Sequence, residues 1–293
     1  MDAQPSHTAD STAASLTGML HALSLYVAAG IASLGWALCE VAGWQSRPWV
    51  PLWFCAALLV YNADRLSHDP ADAVNVPRRA AASARFRRAG IALIAAAALV
   101  LVALPIVQRD WLTLALVLAG AAVCLNYSRP LLGFRFKDLP LVKTLFVPTV
   151  AAAALVGLPW LHEGSPSSGG HFAIVALRAW TLMFFNTVLC DLRDIEGDRR
   201  NGIVSIPGAL GAKRTRVLLW LLLVVLEVLA FTALAAAPPA MVRVWQIVCV
   251  FAPLYLGALL LALRTPRTER FYEWWVEGIL FLPAISLLTA QMY

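Results

Sequence analysis

The sequence predicts an all-α, polytopic membrane protein of nine transmembrane helices. Three observations carry that prediction. Of 293 residues, 60% are hydrophobic and only 14% charged, and the mean hydropathy is +0.73. Soluble domains run at roughly 45–50% apolar and about 25% charged, so most of this chain's solvent is lipid. The apolar residues gather into nine segments, and a hydrocarbon core about 30 Å thick takes about 20 residues per helical span. Basic residues, finally, alternate between the connections: 19 of the 23 lysines and arginines lie in those after segments 2, 4, 6 and 8.

In chain order, residues 1 to 14 carry two aspartates and no lysine or arginine. That is the wrong flank for a cleaved signal peptide, so a polar tail is expected there, followed by one domain over 15–293. The apolar segments run at about 15–43, 48–66, 88–107, 110–126, 139–161, 170–190, 214–237, 241–263 and 270–291. Each is long enough to span or nearly so, and the longest polar connections, 67–87 and 191–213, are too short for a soluble domain. The stretch 162–169 (HEGSPSSG) reads as a loop.

Lysine and arginine flanking transmembrane helices are retained in the cytoplasm. The basic connections are therefore expected inside, with the N-terminus cytoplasmic, the C-terminus outside, and the protein multi-pass in the cell (inner) membrane. Trp44, Trp49, Trp111, Trp160 and Trp245 then all fall at the outer interface, as an aromatic belt. The net charge of +6 is accounted for by topology and gives no reason to expect a nucleic-acid partner. The five cysteines are scattered without a C-x-x-C pair, suggesting neither zinc nor a disulfide framework.

Acidic residues are scarce, and seven of the 17 lie in two clusters at inner helix ends. The first, YNADRLSHDPADAVNVPRR, holds Asp64, Asp69 and Asp72; the second, CDLRDIEGDRRNG, holds Asp191, Asp194, Glu196 and Asp198. On a helix, Asp191, Asp194 and Asp198 are spaced i, i+3 and i+7 and share one face, where like charges repel. A divalent cation relieves that repulsion, and oxygen-only ligands favour Mg²⁺, which keeps several waters and completes its shell with phosphate oxygens. Arg65, Arg193, Arg199 and Arg200 interleave with the acids and suit phosphate contacts. Two such clusters on one side of the membrane suggest a diphosphate clamped from both sides through metal ions.

The run D-L-R-D-I-E-G-D-R-R-N-G-I-V-S-I-P-G-A-L-G, Asp191 to Gly211, resembles the second aspartate-rich motif of the UbiA superfamily of intramembrane prenyltransferases. The resemblance extends over essentially the whole chain after the polar tail. It implies a UbiA-like helical bundle with both motifs in cytoplasmic loops. It also implies Mg²⁺-dependent transfer of an isoprenoid chain from a prenyl diphosphate to an aromatic or lipid acceptor, in a chamber open sideways to the lipid bilayer.

The first cluster departs from the family's N-x-x-x-D-x-x-x-D. With Asp64 at the central position, Val60 stands where asparagine is expected and His68 where the last aspartate is expected, Asp69 being one residue late. A second register matches Asp72-Ala-Val-Asn75-Val-Pro77 to the D-A-x-N-x-P stretch that follows the family's last aspartate. The resemblance thus implies Asp64, Asp69, Asp72, Asp191, Asp194 and Asp198 as metal ligands, with Asp64, Asp191 and Asp194 catalytic. The connection L-N-Y-S-R-P-L-L-G-F-R-F-K-D-L-P-L-V-K resembles the family's Y-S segment with its downstream lysines. Tyr127, Lys137, Lys143, Arg65 and Arg199 are the expected diphosphate contacts.

Two further intramembrane charges, Arg178 and Glu227, lie roughly 18 and 20 Å from the inner ends of their helices at about 1.5 Å per residue, so they are expected to pair. Glu273 and Glu277, one turn apart at an inner end, read as substrate or headgroup contacts. The competing classes are a terpene cyclase of the same fold, which needs no acceptor, and a non-enzymatic transporter or scaffold. A transporter would carry inverted repeats and helices broken at mid-membrane; here both acid clusters lie on one side.

Overall fold

The computed structural model describes residues 16–67, 69–164, 169–237 and 239–292. The polar tail and His68 lie outside the described residues. Those described form helices α1 (Leu16–Ala22), α2 (Leu25–Ala42), α3 (Trp49–Arg65), α4 (Pro70–Asn75), α5 (Pro77–Arg85), α6 (Arg87–Gln108), α7 (Trp111–Ser128), α8 (Val142–Ala152), α9 (Leu158–Glu163), α10 (Gly169–Arg200), α11 (Ile206–Ala235), α12 (Pro239–Ala262), α13 (Glu269–Phe271) and α14 (Leu282–Met292). No strand occurs among them.

Among the described residues, eight helical stretches are long and apolar enough to cross a membrane. The remaining expected span is α3, whose 17 residues make it short; it packs between α2 and α6. Helix α11 begins earlier than its apolar run, at Ile206, and turns at Gly211, whose φ of 76° only glycine adopts without strain.

The bundle closes around side chains such as Leu34, Leu52, Phe185, Leu189, Leu219 and Leu256, all essentially without solvent exposure. Its outer surface is equally apolar. Leu99, Val107, Leu118, Leu221, Val224 and Leu254 are more than half exposed, a surface that belongs against lipid acyl chains. Of the five tryptophans expected in an outer belt, Trp111 and Trp160 are exposed, but Trp44, Trp49 and Trp245 are buried. The buried ones have structural work: the Trp44 indole donates to the Gly164 carbonyl at 3.0 Å, and Trp49 packs edge-on against His162.

Two spans contain π-helical turns, at Ala153–Gly157 and Tyr272–Val276. Such turns free carbonyls, which lipid cannot satisfy. The Trp53 indole donates to Ala154 O at 3.0 Å, the Tyr26 hydroxyl to Trp274 O at 3.2 Å, the Tyr255 hydroxyl to Trp275 O at 2.7 Å and the Asn186 amide to Val276 O at 2.7 Å. Irregular backbone is thus tolerated here because neighbouring helices supply the missing donors.

Arg178 and Glu227 do not form a hydrogen-bonded pair. Arg178 Nη1 donates to the Leu226 carbonyl at 2.7 Å, and its guanidinium lies over the Trp245 ring at 5.4 Å. Both Glu227 carboxylate oxygens are buried without a hydrogen-bond partner. Arg178 thus hydrogen-bonds the backbone of the residue before Glu227.

Candidate active site

Asp64 lies in the last turn of α3, and Asp69 opens α4 as its N-cap, its carboxylate accepting the Ala71 amide at 2.9 Å. Pro70 at the first helical position suits that cap, since its missing N–H would be unsatisfied there anyway. Lys137, on the short 3₁₀ turn Phe136–Asp138, is 6% exposed and reaches both acids, at 2.7 Å from Asp69 and 3.5 Å from Asp64. Arg135 adds a 3.0 Å contact to Asp69, and the Ser128 hydroxyl hydrogen-bonds Asp64.

Burial alone would raise the Asp69 carboxyl. The Lys137 hydrogen bond and charge, the Ala71 amide and Arg135 outweigh it and hold the group below the usual carboxylate range. Burial pushes Asp72 up; Arg79 opposes that, while the charges of Asp64, Asp194 and Asp69 add to it. Asp72 therefore feels both clusters at once.

The second cluster sits at the C-terminal end of α10. Lys143 Nζ, at the start of α8, lies 2.7 Å from Asp198, 3.6 Å from Asp191 and 3.7 Å from Asp194. The three carboxylates expected on one helix face thus converge on one ammonium, and Asp191 and Asp198 are almost fully buried. Thr144, with no exposure, donates its hydroxyl to Asp191 and accepts the Ile206 amide at 3.0 Å. That ties α8 and α10 to the S-I-P turn, where Ser205 caps α11 by accepting the Gly208 amide at 3.2 Å.

The clusters are brought together by α4, which packs on α10. Asn75 accepts the Gly197 amide at 2.9 Å, between Asp194 and Asp198 in sequence. Arg65, Asp69, Asp72 and Arg79 line a cavity of about 160 Å³ beside this junction.

Of the expected diphosphate contacts, Lys137 and Lys143 are among the acids. Tyr127 stacks on Phe146 with its ring 6.0 Å from the Lys137 ammonium. Arg65 lines the cavity and donates to the His21 carbonyl. Arg199 and Arg200 are exposed and pair with Glu196 at 2.8 Å. Arg193 pairs with Asp194 at 2.7 Å and lies over Tyr272.

Glu273 and Glu277 have a use that their spacing did not reveal. Glu273 pairs with Arg78, and Glu277 lies 4.0 Å from Arg79 and 3.8 Å from His21. Glu269 accepts the Arg78 and Arg79 amides at 3.0 Å each, capping α5 from the far end of the chain. The last span thus latches the first acid cluster in place. Thr144 and Arg79 carried no sequence signal beyond adjacency to a motif, and Ser128 lay in the Y-S segment without being singled out.

Oxygen-only donors of this kind fit a hard divalent cation. Among the described residues no three acids, histidines or cysteines converge on a metal-sized point. In this arrangement the two lysines supply the compensating charge.

The model of the UbiA prenyltransferase family matches residues 69–276. A digeranylgeranylglyceryl phosphate synthase of Natronomonas pharaonis is 24% identical over 230 residues, covering 75% of this chain and 76% of the relative. Among solved structures, a UbiA homolog from Aeropyrum pernix K1 in its apo form superposes with a TM-score of 0.66 at 16% identity, covering 90% of this chain and 98% of that one. A UbiA homolog from Archaeoglobus fulgidus, bound to DMAPP and Mg²⁺, gives 0.62 at 14% identity, covering 92% and 98%. The apolar helices are those of a multi-pass membrane protein, and the chain belongs to the UbiA prenyltransferase family.

Proposed function

We propose that this chain transfers an isoprenoid chain from a prenyl diphosphate to a lipophilic acceptor, aromatic or lipid, with Mg²⁺-assisted loss of pyrophosphate. The observation that carries the reading is the meeting of two carboxylate clusters, one centred on the buried Lys137 and the other on the largely covered Lys143, at one end of an apolar bundle. The solved homolog that holds DMAPP and Mg²⁺ supports it, and the similarity to a digeranylgeranylglyceryl phosphate synthase supports a lipid acceptor.

In this reading Asp64, Asp69 and Asp72 hold the cation from one side and Asp191, Asp194 and Asp198 from the other. Mg²⁺, when bound, neutralises charge that develops on the departing diphosphate. Lys143 and Lys137 would offer their ammonium groups to the diphosphate oxygens. Arg65 lines the cavity and Tyr127 lies against Lys137, whereas Arg199 joins only by leaving Glu196. The surrounding apolar helices exclude water from the allylic cation left by C–O cleavage, and an electron-rich acceptor then attacks it. The acid clusters face the cytoplasm, with the N-terminus inside and the C-terminus outside.

Asp191→Ala and Asp194→Ala test the assignment. Both proteins are expected in the membrane and without turnover; retained activity in both would sink it.

A further inference from the structure

The Asn75–Gly197 contact is a joint that sets the spacing of the two acid clusters. Asn75 ends α4, three residues after Asp72, and Gly197 lies on α10 between Asp194 and Asp198. The Asn75 carboxamide oxygen accepts the Gly197 amide at 2.9 Å. A Cβ at position 197 would stand 2.2 Å from Asn75 Oδ1, 2.5 Å from its Cγ and 2.6 Å from its Nδ2. A methyl group there cannot be added unless the Asn75 carboxamide leaves its contact with the Gly197 amide. The neighbouring contacts leave little slack. Val76 is 1% exposed, and the Arg78 and Arg79 amides just beyond it are held by Glu269.

A carboxamide lodged against a mid-helix amide is unneeded for either helix alone, because the helical N–H already has a partner in its own helix. What the contact adds is a fixed separation. A cation coordinated from both sides needs its ligands placed within a few tenths of an ångström.

We propose that Asn75 and Gly197 act as positioning residues: their close contact holds the two carboxylate clusters at the separation at which they share one metal-bound diphosphate. This rests on the function proposed above. Neither residue touches the substrate; each acts by placing the aspartates.

The test uses the full-length protein in detergent with Mn²⁺ and inorganic pyrophosphate as the probe, bound Mn²⁺ being read by electron paramagnetic resonance. Gly197→Ala is expected to weaken pyrophosphate-dependent Mn²⁺ binding by about tenfold or more, the range typical for outer-shell partners of a metal site. Asn75→Ala, which keeps the fold free of any clash, is expected to weaken it several-fold. In Gly197→Ala/Asn75→Ala the clash is gone, so binding should return to the level of Asn75→Ala alone. The same order is expected in the Mg²⁺ concentration needed for half-maximal turnover, with kcat at saturating Mg²⁺ much less affected. Wild-type affinity in both single variants would overturn the joint, as would a double variant weaker than Gly197→Ala. If the wild-type protein binds no Mn²⁺ with pyrophosphate, the parent reading falls, and the joint with it.

Discussion

Lys143→Met is the substitution from which the electrostatic account has most to lose. The Lys143 ammonium lies 2.7, 3.6 and 3.7 Å from Asp198, Asp191 and Asp194, and its side chain is 16% exposed. At an effective dielectric of about 20, a unit pair near 4 Å is worth about 4 kcal/mol gross, so three such attractions offset the cost of burying the carboxylates. Methionine keeps the side chain's length and apolar stem but leaves Asp191 and Asp198 without their ammonium, beside an Asp194 that keeps only Arg193. Removing one partner of a buried ion pair typically costs about 3–5 kcal/mol, most of it from the charge left behind. The expected result is a protein that melts well below wild type in EDTA and recovers most of the deficit in millimolar Mg²⁺, because the cation replaces the missing ammonium. Wild type should respond less to Mg²⁺, since its ammonium already compensates the acids. Thermal unfolding in detergent across a Mg²⁺ titration reads both. A Lys143→Met protein as stable as wild type in EDTA, or one indifferent to Mg²⁺, would refute the reasoning.

Other consequences are nearer to hand. Asp110 caps α7 by accepting the Thr113 amide at 3.0 Å and also contacts His162 at 2.9 Å, so Asp110→Ala should cost about 1 kcal/mol in a chemical-denaturation series. Burial would raise the Asp110 carboxyl, but the Thr113 and His162 hydrogen bonds overcome this and hold it low. Its stabilisation is therefore present above about pH 3.9 and lost as pH falls through the lower folded value; Asp110→Asn should erase that acid limb. Arg178→Met and Glu227→Gln, combined in a double-mutant cycle, should show a coupling of about 0.5–3 kcal/mol; strictly additive losses would mean that the two charges ignore each other. Cysteines introduced at Arg200 and at Glu163 should react with an impermeant maleimide from the cytoplasmic and the outer face respectively, and the reverse pattern would invert the proposed topology.

The membrane fold was legible because composition and apolar run length act along the chain, one helix at a time. The α10 carboxylate face was legible for the same reason: its i, i+3, i+7 spacing is local, and the three acids do meet, on Lys143. What stayed hidden was contact between distant segments. Nothing in the sequence near Glu269 or Glu273 says that these acids cap and pair with Arg78 and Arg79 some 190 residues away. Thr144 is an ordinary hydroxyl residue until folding sets it on Asp191. The buried tryptophans miss the expected belt because hydropathy gives depth along a helix and says nothing of which side faces lipid. Asp69, one residue late for its motif, is a helix cap held by Lys137, a geometry that a linear pattern does not encode.

The central claim is that the two clusters hold one prenyl diphosphate through a divalent cation. It is tested most directly by following pyrophosphate release from geranyl, farnesyl and geranylgeranyl diphosphates by the purified protein with a membrane lipid extract, with Mg²⁺ and then with EDTA. The account predicts release with at least one of these, abolished by EDTA, restored by Mg²⁺ and absent from Asp194→Ala. Release that persists in EDTA, or that survives loss of Asp194, would contradict it.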